Sequence, residues 1–248
     1  MTRRLLHYLG MLIGWVELIG FTVFLYLLSY VPGAWHSPGY RRLFHWWSRV
    51  WVSALGVDLR LHQHNKDALP ENYLMIANHP SAFEDIGIPA LFDVDCLAKE
   101  EVRHWFMVGR ISDAAQTLYV QRESRDSRQQ AADEIIAALE QGRNIALYPE
   151  GGVKGKRLHD HFRYGAFSIS LQTGIPIVPV FIHYEAIDDF FWGKQNLPHK
   201  IWQIMNARNK RANYHVFDAF NPEDFANRED YCDAVYLQYL KWQEKIIG

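Results

Sequence analysis

Residues 72–92, NYLMIANHPSAFEDIGIPALF, decide how this chain is read. The apolar run Tyr73-Leu74-Met75-Ile76-Ala77 has the length of a buried strand. It stops at Asn78-His79-Pro80-Ser81, a cluster of turn formers, and an apolar-rich stretch from 83 to 92 follows as a helix. A strand passing through a short polar turn into a helix is the building unit of an α/β domain. Polar residues at the carboxyl end of such a strand sit where these folds collect their chemistry.

The same alternation extends outward. Strands are predicted at 57–62, 72–77, 93–98, 116–121, 144–148, 177–184 and 213–218. Helices are predicted at 83–92, 100–107, 126–141, 163–173 and 230–246. In the helix 126–141, Ala131, Ile135, Ile136 and Leu139 share a face, and Gly142 is a stop signal.

Two strand ends carry candidate chemistry. At the first, His79 is followed by Glu84 and Asp85, acids five and six positions on. A carboxylate on one imidazole nitrogen fixes the tautomer and raises the basicity of the other, so the set suits removal of a proton from a hydroxyl. At the second, the strand NIALY leads into Pro149-Glu150-Gly151-Gly152-Val153-Lys154-Gly155-Lys156-Arg157. Glycines allow close backbone approach, and Lys154, Lys156 and Arg157 suit a phosphate or another anion. The bland alternatives are a structural His–acid contact and a solvated basic loop.

The N-terminal part differs in character. Residues 5–31, LLHYLGMLIGWVELIGFTVFLYLLSYV, hold Glu17 as their one fully charged residue. A helix of that length reaches across a hydrocarbon core of about 30 Å, and a helix dipping into one leaflet or a buried soluble helix are the alternatives. Pro32, Gly33, Pro38 and Gly39 break the chain before YRRLFHWWSRVWVSALG (40–56). There Leu43, Trp46, Trp47, Val50, Trp51 and Leu55 follow helical spacing opposite Arg41, Arg42 and Arg49, a pattern that fits a headgroup boundary or a core helix. The expected organisation is a two-helix membrane anchor, 1–56, ahead of a catalytic domain, 57–248.

Composition narrows the classes. The 248 residues are 49% hydrophobic and 22% charged, with a formal net charge of −2. A disordered or disulfide-stapled chain is excluded, and nucleic acid is not the partner that this charge favours. The first 60 residues carry six Arg against Glu17 and Asp58, a balance of +4; the remainder has 20 basic and 26 acidic residues, a balance of −6. The basic part is also the most apolar, which suits an anionic membrane surface. Cys96 and Cys232 make no disulfide framework or zinc spacing.

The order of these motifs resembles the glycerophospholipid acyltransferase family, of the 1-acyl-glycerol-3-phosphate acyltransferase type. Asn78-His79-x-Ser81 looks like its NH-x4-D block. Lys99-Glu100-Glu101, Trp105, Gly109 and Tyr119-Val120-Gln121-Arg122 look like the second block, which ends in Arg. Tyr148-Pro149-Glu150-Gly151 looks like the F-P-E-G-T block, continued by Phe162-Arg163-x-Gly165-Ala166-Phe167, and Ile177-Val178-Pro179-Val180 looks like the fourth. The likeness spans roughly 57–185.

Two departures stand out. The family's Asp position holds Glu84 with Asp85 next to it, and either carboxylate is a candidate partner for His79. After Glu150-Gly151, the usual Thr and Arg are replaced by Gly152, Val153 and Lys154. Lys lacks the planar fork of Arg, so an acceptor other than a glycerol 3-phosphate is open.

The resemblance implies a mixed sheet flanked by helices behind the anchor. His79 would be the general base, oriented by Glu84 or Asp85. The acyl donor would be acyl-CoA or acyl carrier protein, and the acceptor a membrane lipid hydroxyl. Arg122, Gly151, Lys154, Lys156 and Arg157 would bind substrate; Glu150 would bind it or organise its loop. Neither metal nor cofactor is required. The implied location is a bacterial inner membrane, with the catalytic domain on the cytoplasmic side.

Overall fold

Chain order in the computed structural model is α1 (Thr2–Leu28), α2 (Pro38–Leu55), β1 (Asp58–Gln63), β2 (Leu74–Ala77), α3 (Glu84–Leu91), β3 (Asp95–Lys99), a 3-10 turn (Glu100–His104), α4 (Val108–Ala114), β4 (Leu118–Val120), α5 (Arg125–Glu140), β5 (Ile145–Leu147), α6 (Gly165–Thr173), β6 (Ile177–Tyr184), α7 (Ile187–Phe190), α8 (Leu197–Asn206), β7 (Arg211–Val216) and α9 (Arg228–Ile247). The structure describes residues 2–121, 124–153, 155–193 and 195–248, with the backbone alone for 2–5, 7 and 125. The chain forms two units, Met1–Asp58 with Asp85–Ala131, and Leu59–Glu84 with Ala132–Gly248.

The second unit holds five strands in the order β1-β7-β6-β2-β5. β2 pairs in parallel with both β5 and β6, so Ile76 lies between Leu147 and Pro179. β7 runs antiparallel to β6, with Val180 opposite Val216. All four residues of β2 are buried, as its unbroken apolar run requires of a strand covered on both faces. From α9, the buried Tyr239 hydroxyl donates to the Ile76 carbonyl (2.9 Å) and accepts from the Val180 amide (3.1 Å), pinning β2 and β6 where the chain leaves the sheet after Ala77.

The first unit holds the parallel pair β3–β4 and the N-terminal helices. Met11, Leu18 and Leu25, seven residues apart, form the buried stripe of α1. The stripe works because Gly14 admits the Ala54 backbone: a Cβ there would lie 3.0 Å from the Ala54 Cα. Trp47 donates to the Thr22 hydroxyl at 2.8 Å, and Tyr40 to the Leu25 carbonyl at 2.9 Å.

α2 corrects an expectation. Its Tyr40, Trp47, Val50, Ala54 and Leu55 are core residues, packed with Ile111 and Ala114 of the same unit. Part of its basic side meets protein: Arg49 donates to the Ala90 carbonyl (2.9 Å), Arg41 lies 3.9 Å from Asp95, and His45 lies 3.2 Å from both Asp93 and Asp95, while Arg42 is exposed. Of the two helices expected as an anchor, α1 alone, among the described residues, has the length and composition to cross a membrane. Its apolar window, Tyr8–Leu28, has a mean hydropathy of 2.0 and is only 22% buried. The helix expected at 100–107 is a 3-10 turn to His104, and α4, α7 and α8 are additions to the sequence reading.

Candidate active site

The site starts where β2 ends. Its parallel ladder with β6 reaches Ala77↔Val180, and Asn78 extends it with a side chain. The carboxamide donates to the Ile182 carbonyl (2.9 Å) and accepts from the Ile182 amide (2.6 Å). Both backbone groups of Ile182 are thereby satisfied while the Asn78 main chain turns out of the sheet. His79 is the next residue, and Asn-His at this strand end thus has a structural reason.

Three contacts fix the imidazole of His79. Its Nδ1 lies 3.0 Å from Glu84 Oε2. Its ring stacks on Tyr148 from the end of β5, with centroids 4.0 Å apart and planes inclined by 6°. Its backbone amide donates to Glu150 Oε1 at 2.7 Å. The first and third sequence motifs therefore meet at one residue.

Glu84 answers the question that its neighbour left open: Glu84 takes the His79 contact, and Asp85 is exposed at the start of α3. The longer side chain fits because the turn folds back on it. The Ser81 amide donates to Glu84 Oε1 at 2.9 Å, and the Tyr184 hydroxyl to the same oxygen at 2.7 Å. The Ser81 hydroxyl tightens the turn by donating to the Phe190 carbonyl (2.6 Å) and accepting from the Phe83 amide (3.1 Å). Burial pushes the Glu84 carboxyl well above the ordinary carboxylate range, and the Tyr184 hydroxyl and the Ser81 amide oppose that shift. Full burial of a carboxyl is costly, and the three contacts are its compensation.

Glu150 has an internal task. Its second oxygen accepts from the His159 amide at 2.8 Å, so one carboxylate ties the His79 turn to the loop after β5. It is buried, and that burial raises its pKa against the two amide hydrogen bonds. Of its two expected roles, loop organisation is the one these contacts perform.

Gly151 requires glycine: φ is +73°, and a Cβ would collide with the Arg163 side chain. Arg163 is exposed, its amide donates to the Pro149 carbonyl at 2.8 Å, and its guanidinium covers this turn. It is a cation at the turn absent from the expected set; its place in the continuation Phe162-Arg163-x-Gly165 was the available signal. Lys156 and Arg157 are exposed on the same loop, and Lys156 lines a cavity of about 160 Å³ together with Pro80 and Tyr184. Arg122 and Lys154 lie outside the described residues.

A buried His–carboxylate pair thus stands at the end of β2, tied to the Pro-Glu-Gly turn after β5. The acyltransferase family model matches residues 60–183. The chain belongs to the acyltransferase family. It is 30% identical over 219 residues to the lyso-ornithine lipid O-acyltransferase of Pseudomonas aeruginosa, covering 86% of this chain and 83% of that one. It is 24% identical to the 1-acyl-sn-glycerol-3-phosphate acyltransferase of Neisseria gonorrhoeae over 56% of each chain. The crystal structure of the 1-acyl-sn-glycerophosphate acyltransferase PlsC from Thermotoga maritima shares the fold, with a TM-score of 0.58 and 17% identity, covering 95% of this acyltransferase and 98% of that chain.

Proposed function

We propose that this acyltransferase moves a fatty acyl group from acyl-CoA or acyl carrier protein to the hydroxyl of a lysolipid in a membrane, with His79 as general base. The observation that carries the reading is the Nδ1 contact of His79 to buried Glu84 at 3.0 Å. A carboxylate on Nδ1 holds the proton there and leaves Nε2 as the basic nitrogen. Nε2 takes the proton of the acceptor hydroxyl, and the oxygen adds to the thioester carbonyl. The tetrahedral intermediate collapses, the C–S bond breaks, and the thiolate leaves with the proton returned by the imidazolium. The products are an ester and a free thiol, with no acyl-enzyme required. Glu84 stabilises the imidazolium, as a carboxylate does in other His-based acyl transfers.

The membrane belongs to the same reading. Leu12, Ile13, Val16, Ile19 and Leu27 of α1 are each 60% or more exposed. An apolar surface of that extent marks a membrane or partner contact. The cytoplasmic face of a bacterial inner membrane is the proposed location, because both donors are cytoplasmic.

The test is thioester release measured with and without lysolipid acceptors, in detergent or vesicles. Release that depends on acceptor, falling by about 100-fold or more in folded His79→Ala, is the expected result. Acceptor-independent release makes the protein a hydrolase. Silence with every donor and acceptor leaves a lipid-binding protein.

A further inference from the structure

The cavity beside the catalytic turn carries charges of both signs. Pro80, the residue after the base, forms part of its wall, and so does Tyr184, whose hydroxyl bonds Glu84. Lys156, His183 and Glu185 bring the polar groups. Lys156 and Glu185 are exposed, and His183 is half-buried. Burial, opposed by Glu185 and aided by Lys156, holds the His183 imidazole below its ordinary pKa, so at neutral pH it adds no charge to the wall. Glu185 is held in place: its Oε1 accepts from Asn213 Nδ2 at 3.4 Å, and Asn213 Oδ1 is in turn 3.0 Å from His62 Nε2. Among the described residues, the wall thus presents one cation and one carboxylate, with Pro80, the neighbour of His79 in the chain, beside them.

Resting on the acyl-transfer reading above, we propose that this cavity receives a zwitterionic, amino-acid head group of the acceptor, with its carboxylate on Lys156 and its ammonium on Glu185. A phosphate monoester fits this wall poorly. It would meet Lys156 but be repelled by Glu185, and like-charge juxtaposition of this kind is a common means of rejecting a wrong partner. Glu185 is the specificity-determining element, because it separates an ammonium-bearing head group from a phosphate.

Steady-state kinetics of the full-length protein in mixed micelles tests this, with lyso-ornithine lipid, its carboxyl methyl ester and 1-acyl-glycerol 3-phosphate as acceptors. Lys156→Gln and Glu185→Gln should each raise KM for lyso-ornithine lipid about tenfold, leaving kcat and the KM for acyl-CoA unchanged, the pattern of lost uniform binding. On the methyl ester Lys156→Gln should have no further effect, because its partner is already gone. Glu185→Gln should also improve use of the glycerophosphate. Both variants keep a polar group at an exposed position, and the carboxamide oxygen that Glu185→Gln introduces still accepts from Asn213, so folding is preserved. Unchanged KM for an acylated zwitterionic acceptor in both variants overturns this proposal and leaves acyl transfer standing. Transfer by the wild type to the glycerophosphate alone does the same. Absence of transfer to all three acceptors overturns the acyl-transfer reading, and this proposal with it.

Discussion

In the unit formed by Met1–Asp58 and Asp85–Ala131, Leu12, Val16, Ile19 and Leu27 are exposed along one side of α1; in the unit formed by Leu59–Glu84 and Ala132–Gly248, Glu84 and Glu150 are buried. Each inverts the usual burial of its residue type, and each costs stability in water. The teaching is in how the cost is met. The buried carboxylates are met from within: Ser81, Tyr184 and His79 surround Glu84, and two backbone amides hold Glu150. On α1 the stripe Met11, Leu18 and Leu25 is covered, and the outward apolar side chains await a medium. Internal compensation keeps a carboxyl group inside the fold, whereas an uncovered apolar face is open to docking.

That contrast breaks first at α1. Leu12→Glu with Ile19→Glu changes two outward positions and no core residue. At roughly 1.5–3 kcal/mol for each buried side chain, the pair should lower partition into anionic vesicles by on the order of 100-fold. Flotation at low and high salt measures it. Salt should leave the wild type bound, since apolar contacts are not screened. Unchanged flotation of the double variant would make α1 an ordinary packed helix.

A smaller effect sharpens the other side, because the second unit also carries stacked histidines. His215 stacks on His62 at 4.4 Å and accepts or donates a hydrogen bond to His64 at 2.9 Å. Burial, together with the neighbouring His62, His64 and His183, lowers its pKa from 6.5 to about 4; His64 and His183 are lowered as well. A group that binds its proton more weakly when folded gives stability that is complete above about pH 6.5 and drains away as pH falls toward 4. Thermal unfolding should show Tm falling by several degrees across that window, and His215→Phe should flatten the fall. An equal fall in the variant would show that His215 is not the source of the acid sensitivity.

The fold was largely legible, for a physical reason. Each of the seven strands among the described residues is a short apolar or alternating run bounded by turn formers, so periodicity found them, with β6 read to the residue and β2 begun two residues early. The helices missed were α4, α7 and α8, and the first two are only seven and four residues long, too short to show a period. α8 did carry usable signals: Asn196, whose side chain accepts from the His199 amide at 3.0 Å, Pro198 in its first turn, and Leu197, Ile201, Ile204 and Met205 at helical spacing. The fate of α2 was also hidden: a Trp- and Arg-rich amphipathic helix reads alike whether its arginines meet phosphates or, as here, Asp95 and a carbonyl. In the site, His79 was legible from its neighbours. The choice between Glu84 and Asp85 was not, because it turns on the Tyr184 hydroxyl, a hundred residues away in sequence.

At the centre of the proposed chemistry, the buried Glu84 orients His79 as a base. Glu84→Gln keeps the acceptor oxygen for Ser81 and Tyr184 but offers His79 an N–H donor, which forces the wrong tautomer. The same change removes a buried charge whose raised pKa makes the folded state less stable as pH rises. The measurement is kcat and Tm together, for Glu84→Gln and Asp85→Asn at pH 7.5. The expected result is a fall of about 100-fold in kcat for Glu84→Gln with Tm unchanged or higher, while Asp85→Asn stays within about twofold of wild type in kcat. Near-normal turnover in Glu84→Gln, or a larger loss in Asp85→Asn, contradicts it.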